Sequence, residues 1–460
     1  MDKTEKRDLI LNGKLLTVVA TLAVPIVINS FIQTMYNLTD TYWLGQLGTD
    51  HMSAITIVTP IQNIILNFGM GITTAGSILI SQYLGAKEDE QANIMARHIY
   101  ICSLIFSVAC ALLCFACTPG IVTWLGATDD VYTFACTYLR IVILDMPLLF
   151  TINMFTAVYQ SQGDTVRPMI LNLLGVIINM ILDPLLMVTL DMGVSGAAIA
   201  TVTAKLPCAV IALILLTRKN RLIYLTYKGF RFEKEKLMSI LRIGLPTAIG
   251  GSTMQFGFLL MSRNVLKYGS IAVSAYGIGN KINSLITLPS TAMGSATATI
   301  VGQNVGAGQK DRAEKGYKLS MYISVTFLFI SGLILSRPFI ARPIVSIFSK
   351  EPEVIYHATN FLSLMAICCW TNGIHNATTG LFQGSGHTMI TMANDASRMW
   401  IFRFLTLFIC ENVLLMGVES IWWSVVVSNA ISALIIYVLY RMKIWKKDVV
   451  KVHRQNCPTA

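Results

Sequence analysis

Two aspartates stand in stretches that otherwise read as hydrocarbon-soluble helix. Asp40 lies in MYNLTDTYWLG, residues 35–45, at the end of the first long apolar run, and Asp183 lies in NMILDPLLM, directly before Pro184. An ionisable side chain in a bilayer costs several kcal/mol unless it faces a partner or a water-filled cavity. On the first helix Asn29, Gln33, Tyr36, Asn37 and Asp40 recur along one face, and on the fifth Asn172, Asn179 and Asp183 do the same. At ~1.5 Å per residue, Asp183 lies roughly 10 Å below the outer end of its helix. Asp40 and, on the sixth helix, Thr201 fall near the same level. Two carboxylates, an amide, a phenol and a hydroxyl at one depth can take up a proton or hold a sodium ion among oxygen ligands. Pro25 below the first stripe and Pro184 beside the second acid each remove a backbone donor, which lets their helices bend.

The elements that must position these residues follow from composition. The chain has 460 residues, 54% of them hydrophobic and 13% charged. A soluble protein carries about 25% charge, so the deficit points to lipid as the solvent. Runs long enough to cross the ~30 Å hydrocarbon core as helices occupy residues 15–42, 53–80, 94–117, 131–158, 167–190, 195–217, 237–263, 272–303, 316–340, 354–382, 389–415 and 420–443. Short period-2 strands are missing, which excludes a membrane β-barrel. The expected fold is an all-α membrane protein of twelve transmembrane helices. The charged start MDKTEKRDLILNGK leads into a run too long for a signal-peptide core, so it is expected to remain in the mature chain. The ten cysteines have no metal-ligand spacing and read as small buried hydrophobes.

Net charge is +11, and its placement decides what it means. Assigning the 35 Lys and Arg to alternate sides, with both termini inside and with Arg398 and Arg403 counted among the inner loops, puts 27 inside and 5 outside. The positive-inside rule therefore favours cytoplasmic termini, and the basic excess is a topology signal with no nucleic-acid partner implied.

The sequence also repeats. An offset of 221 carries Pro25 onto Pro246, Gly48 onto Gly269, and the loop residues Gln82, Gly85 and Ala86 onto Gln303, Gly306 and Ala307. At 223, YQSQGDT meets FQGSGHT, and at 224 Gly193 meets Gly417. Each unit holds six helices, so both halves enter from the same side, related by an axis along the membrane normal. This predicts two pseudo-symmetric lobes facing a central cleft: an N-lobe over 1–216, a cytoplasmic linker over 217–236, a C-lobe over 237–445 and a basic cytoplasmic tail over 446–460. Asp40 and Asp183 fall opposite Met261 and Thr406, so only the first lobe carries the acid pair.

Other polar residues inside the spans are accessory candidates. On the fourth helix Asp145 can serve the cleft or pair with Arg140, and Asn153 lies further along. Lys205, before Pro207 on the sixth helix, is placed to be the counter-ion of an acid in the same lobe. Lys281 has no evident partner, and His375 is a lone histidine of the tenth helix. No G-x-S-x-G, H-E-x-x-H or G-x-x-x-x-G-K-[ST] occurs, which argues against an intramembrane enzyme and an ATP-driven pump. Acids confined to one half argue against the charged rings of a channel.

The segment at 35–45, the Q-x-x-G-A loops at 82–86 and 303–307, the QSQGDT and QGSGHT turns and the GVSGAAIAT start of the sixth helix together resemble the multidrug and toxic compound extrusion (MATE) transporters, over about residues 10–445. The resemblance implies twelve helices in two V-shaped lobes of a bacterial cell membrane, exporting cationic amphipathic drugs in exchange for protons or sodium ions, as a monomer without cofactor. It also implies that Asp40 and Asp183 bind the coupling ion, assisted by Tyr36, Asn179 and Thr201. Another bacterial branch carries acids in the seventh and tenth helices. The sequences GLPTAIGGSTMQFGF and CCWTNGIHNATTG have none. The alternative within the superfamily is a flippase of lipid-linked precursors.

Overall fold

The structure, a computed structural model, describes residues 5–47, 49–127, 129–219, 222–226 and 230–450, without the side chains of residues 49, 50, 52 and 129. Gly48 of the repeat, parts of the 217–236 linker and residues 451–460 of the basic tail lie outside the described residues.

Among the described residues there is no strand, and twelve helical segments occupy the twelve apolar runs. In the first half these are α1 (Leu15–Gln46), α2 (Thr49–Gly85), α3 (Asp89–Trp124), α4 (Asp129–Ile143, then Met146–Ser161), α5 (Val166–Pro184, then a π-helical turn Leu185–Thr189) and α6 (Gly193–Thr217). In the second half they are α7 (Lys234–Leu266), α8 (Ser270–Gly306), α9 (Lys310–Leu335), α10 (Pro352–Cys368, then Trp370–Gly384), α11 (Thr388–Ala396, a π-helical stretch Ser397–Arg403, then Phe404–Asn412) and α12 (Glu419–Arg441). Among the described residues seven helices, and two more if each bent pair is one span, are long and apolar enough to cross a membrane. The remaining three segments, α7, α8 and α11, are richer in polar residues or broken. Polar side chains of α8 bond back to their own helix, Thr297 Oγ1 to the Met293 carbonyl at 2.7 Å and Asn304 Nδ2 to that of Ile300 at 2.8 Å. Such bonds let a polar helix lie inside a lipid-solvated bundle.

The breaks have local causes. The two parts of α4 meet at 44°, and Pro147 stands in the first turn of the second part, where its missing N–H and its ring prevent a continuous helix. The Asp145 carbonyl accepts the first two bonds of that new helix, from the backbone N–H groups of Leu148 and Leu149, both at 3.0 Å. Pro184 ends the α-helical part of α5, and the chain carries on with the wider hydrogen-bond spacing of the π turn.

The duplication is visible in the backbone. The 221 offset carries Thr49–Gly85 onto Ser270–Gly306 end to end. Left-handed residues recur at the same offsets: Lys87 (φ 64°) with Gly308 (78°), Gly163 (82°) with Gly386 (86°), Asp191 (51°) with Leu415 (53°) and Gly193 (54°) with Gly417 (61°).

The chain divides into two compact units. Of the described residues, the first holds 5–12 and 24–248 and the second holds 13–23 and 249–450. Apart from the one between Asn12 and Gly13, the divisions fall inside α1 and α7, close to Pro25 and Pro246. In the first unit the helix Glu5–Asn12 is held by ion pairs of Lys6 with Asp164 (2.9 Å) and Arg7 with Asp89 (2.7 Å). In the second, the segment after α12 is held by Lys310 to Asp448 (2.9 Å) and Lys446 to Glu314 (3.1 Å). The terminal charges are thus knit into the loop ends of their own units.

Candidate functional site

Asp183 is fully buried on α5, and Asn179, one turn earlier, donates from Nδ2 to its Oδ1 at 3.1 Å. The other oxygen, Oδ2, is buried without a hydrogen-bond partner among the described residues, and so is Oδ1 of Asn179. Buried polar atoms in this state cost free energy unless something binds them. Asp40 of α1 is half-buried and lies in the electrostatic surroundings of Asp183. Tyr36, one turn before Asp40, is within hydrogen-bonding reach of Thr201 on α6 and feels the charge of both acids. The Thr201 hydroxyl itself donates to the Ala197 carbonyl at 3.0 Å. The structure therefore brings together Asp40, Asp183, Asn179, Tyr36 and Thr201 from three helices.

Two further residues belong to this group. Tyr138 of α4 is an electrostatic neighbour of Asp40, Asp183 and Asp145, and it is within hydrogen-bonding reach of Gln62 on α2. Tyr138 precedes Asp145 by two helical turns, a spacing visible in the sequence only once Asp145 is placed at the break. Asp145 is 1% exposed and pairs through Oδ2 with Lys205 of α6. Arg140, the other partner considered for it, is exposed and lies over the ring of Phe115, 5.6 Å from its centroid.

The rest of the first-helix stripe divides. Asn29 accepts a hydrogen bond from Asn172 Nδ2 at 3.1 Å, which ties α1 to α5 below the acids. Gln33 and Asn37 are exposed. Asn153 is half-buried two turns beyond Asp145 and shares no hydrogen bond or ion pair with the acids among the described residues. Pro25 is buried inside α1.

The equivalent place in the second unit has opposite chemistry. Met261, Phe361 and Val425, the repeat counterparts of Asp40, Tyr138 and Thr201, all belong to one apolar cluster with Tyr276 and Trp422. Phe361 stacks on Trp422 at 4.3 Å between ring centroids. What the second unit carries instead is a separate polar group. His375 Nε2 lies 3.2 Å from Asp395 Oδ1, and Arg398 lies 3.6 Å from the same oxygen. Asn394 donates to Ser432 Oγ at 2.8 Å beside them. Read alone, His375 has no partner. Asp395 and Arg398, three residues apart in an apolar run, are the signal that points to one. Arg398 and Arg403, counted above with the inner loops, both lie within α11, and Arg403 is buried on Ser428 and Asn429 (3.2 and 3.1 Å). Setting them aside leaves the charge asymmetry intact.

Comparison with known proteins places this arrangement in context. The family model described as MatE matches residues 25–185 and 246–409, one stretch in each half. The chain is 26% identical over 426 residues to the multidrug export protein MepA of Staphylococcus saprophyticus, covering 91% of this chain and 92% of that protein. It is 23% identical over 436 residues to the probable multidrug resistance protein YoeA of Bacillus subtilis, covering 93% of each. Its fold is similar to that of an outward-facing multidrug resistance MATE family transporter of the MOP superfamily, with a TM-score of 0.91 at 22% identity over 96% of this chain and 98% of that one. A MOP superfamily transporter from Pyrococcus furiosus gives 0.92 at 23% identity over 97% and 100%.

Proposed function

The chain belongs to the MatE family, and from that premise we propose that it is a secondary active multidrug exporter, moving cationic amphipathic compounds outward in exchange for protons or sodium ions. The relatives at full length are named as multidrug export and resistance proteins, which supports efflux as the class of activity and transport without covalent chemistry. We place it in a bacterial cell membrane as a monomer with both termini cytoplasmic, its N-lobe over 1–216 and its C-lobe over 237–445 joined by the 217–236 linker.

One observation carries the reading. The buried Asp183 holds one oxygen in a hydrogen bond from Asn179 and leaves the other without a partner among the described residues, and Asp40 shares its surroundings. In our reading the cargo ion enters as substrate at this point. A proton binds a carboxylate oxygen of the pair. A sodium ion takes oxygens from both acids, with the Asn179 carbonyl oxygen and the Tyr36 and Thr201 hydroxyls completing its shell. Lowering the negative charge of the pair changes the forces on α1, which bends near Pro25, and the change releases the drug on the outer side. Pro184 and its π turn give α5 the freedom to follow.

The test is ethidium efflux from proteoliposomes with each ion gradient imposed in turn. Asp40→Asn and Asp183→Asn proteins that insert normally should lose gradient-driven efflux. Efflux at the wild-type rate in either variant would remove the acid pair from the mechanism. Acidification or sodium movement on adding drug identifies the coupling ion.

A further inference from the structure

Lys205 is bonded to one acid and acts electrostatically on a second. It forms an ion pair with Oδ2 of Asp145, and its charge also acts on Asp40. The ammonium sits on a flexible four-carbon stem with three donors, so its head can change partners by rotation of the side chain alone. Asp145 is 1% exposed and its Oδ1 has no hydrogen-bond partner among the described residues, so the pair does not fully satisfy it. Lys205 keeps 26% of its side chain exposed.

A buried ion pair is a weak source of stability, because desolvation offsets most of the attraction. The duplicate makes the same point, since the counterparts of Asp145 and Lys205 are Cys368 and Asn429, and α10 still breaks there without an ion pair, at 54°. The pair therefore is not what the bent helix needs. It occurs in the half that carries Asp40 and Asp183; Tyr138 is an electrostatic neighbour of Asp145, and Lys205 is one of Asp40.

We propose that Lys205 is a resident counter-cation shared between Asp145 and Asp40: it turns to Asp40 when the coupling ion leaves and returns to Asp145 when the ion binds. Asp40 and Asp183 are then never both bare at once, and Lys205 competes with the coupling ion for Asp40. This rests on the reading of Asp40 and Asp183 as the coupling-ion site.

The sign of the effect separates this role from a structural one. In full-length protein in nanodiscs, sodium chloride is titrated at fixed pH and acid is titrated in sodium-free medium. Asp145→Asn frees Lys205 to stay at Asp40, so the coupling ion should bind about tenfold more weakly than in wild type. Lys205→Met removes the competitor, so binding should tighten about tenfold. Should Lys205→Met fail to fold with Asp145 left alone, the Asp145→Asn/Lys205→Met double variant replaces it and should bind more tightly than Asp145→Asn. A structural pair would lower melting temperature and leave the ion-binding midpoint in place, and equal midpoints in Asp145→Asn and the double variant overturn the proposal. An ion signal that survives intact in Asp40→Asn overturns the underlying reading and this inference with it.

Discussion

Asn179 donates to Oδ1 of Asp183 across one turn of α5 at 3.1 Å, with both side chains buried. A hydrogen bond to a charged group contributes about 1.5–3 kcal/mol, and here it also fixes which oxygen of Asp183 stays open. Asn179→Leu should therefore reduce the initial rate of ion-driven ethidium efflux by about tenfold or more while the protein still inserts at wild-type level. An unchanged rate would mean that Asp183 needs no orientation.

Gly196 on α6 packs against the π turn that follows Asp183. A Cβ at Gly196 would stand 2.7 Å from the Leu186 carbonyl oxygen and 3.0 Å from the Met187 nitrogen, both backbone atoms. Neither can move without shifting the turn. Gly196→Ala should cost about 1–3 kcal/mol in overpacking, read as a lower melting temperature in detergent. A melting curve superimposed on that of wild type would show that the turn gives way freely.

The parts of this molecule legible in its sequence are those set by one helix at a time. Apolar runs located all twelve segments, and helical periodicity put Asn179 with Asp183 and Tyr36 with Asp40. Contacts between helices depend on the rotation of each helix about its axis relative to its neighbour. The sequence therefore left Asp145 open to more than one role, where the structure pairs it with Lys205 and turns Arg140 to Phe115. For the same reason it left His375 alone, though Asp395 lies 3.2 Å from it across two helices. Pro184 marked a break, but the π turn beyond it, packed closely on Gly196 of another helix, was not marked by any one-helix pattern.

Asp164 follows the left-handed Gly163 and gathers Lys6 at 2.9 Å and Arg167 at 2.7 Å while remaining 3% exposed. It anchors the helix Glu5–Asn12, whose Arg7 is 8% exposed. Asp164→Asn removes the charge that Lys6 reaches for, so the helix should open more often and trypsin should cut after Arg7 roughly tenfold faster, in line with about 1.4 kcal/mol of lost protection. Cleavage at the wild-type rate would assign the anchoring to Asp89 alone.

The two halves share a backbone but differ at one decisive place, and exchanging those residues tests whether the difference is functional. Met261 is fully buried among Tyr276, Phe361 and Trp422, so Met261→Asp puts a carboxylate into an aromatic and aliphatic cluster whose polar atoms include the Tyr276 hydroxyl and the Trp422 indole N–H, neither of them a charge. The cost of several kcal/mol is a large part of the total stability of a domain, and the variant should give little folded protein in size-exclusion chromatography. Asp40→Met makes the reverse exchange. It removes an acid that is itself costly to hold in a membrane helix, so the protein should fold and melt no lower than wild type, yet its drug efflux should no longer respond to an imposed proton or sodium gradient. A folded Met261→Asp protein, or an Asp40→Met protein still driven by either gradient, would show that the asymmetry of the repeat is not where ion energy enters.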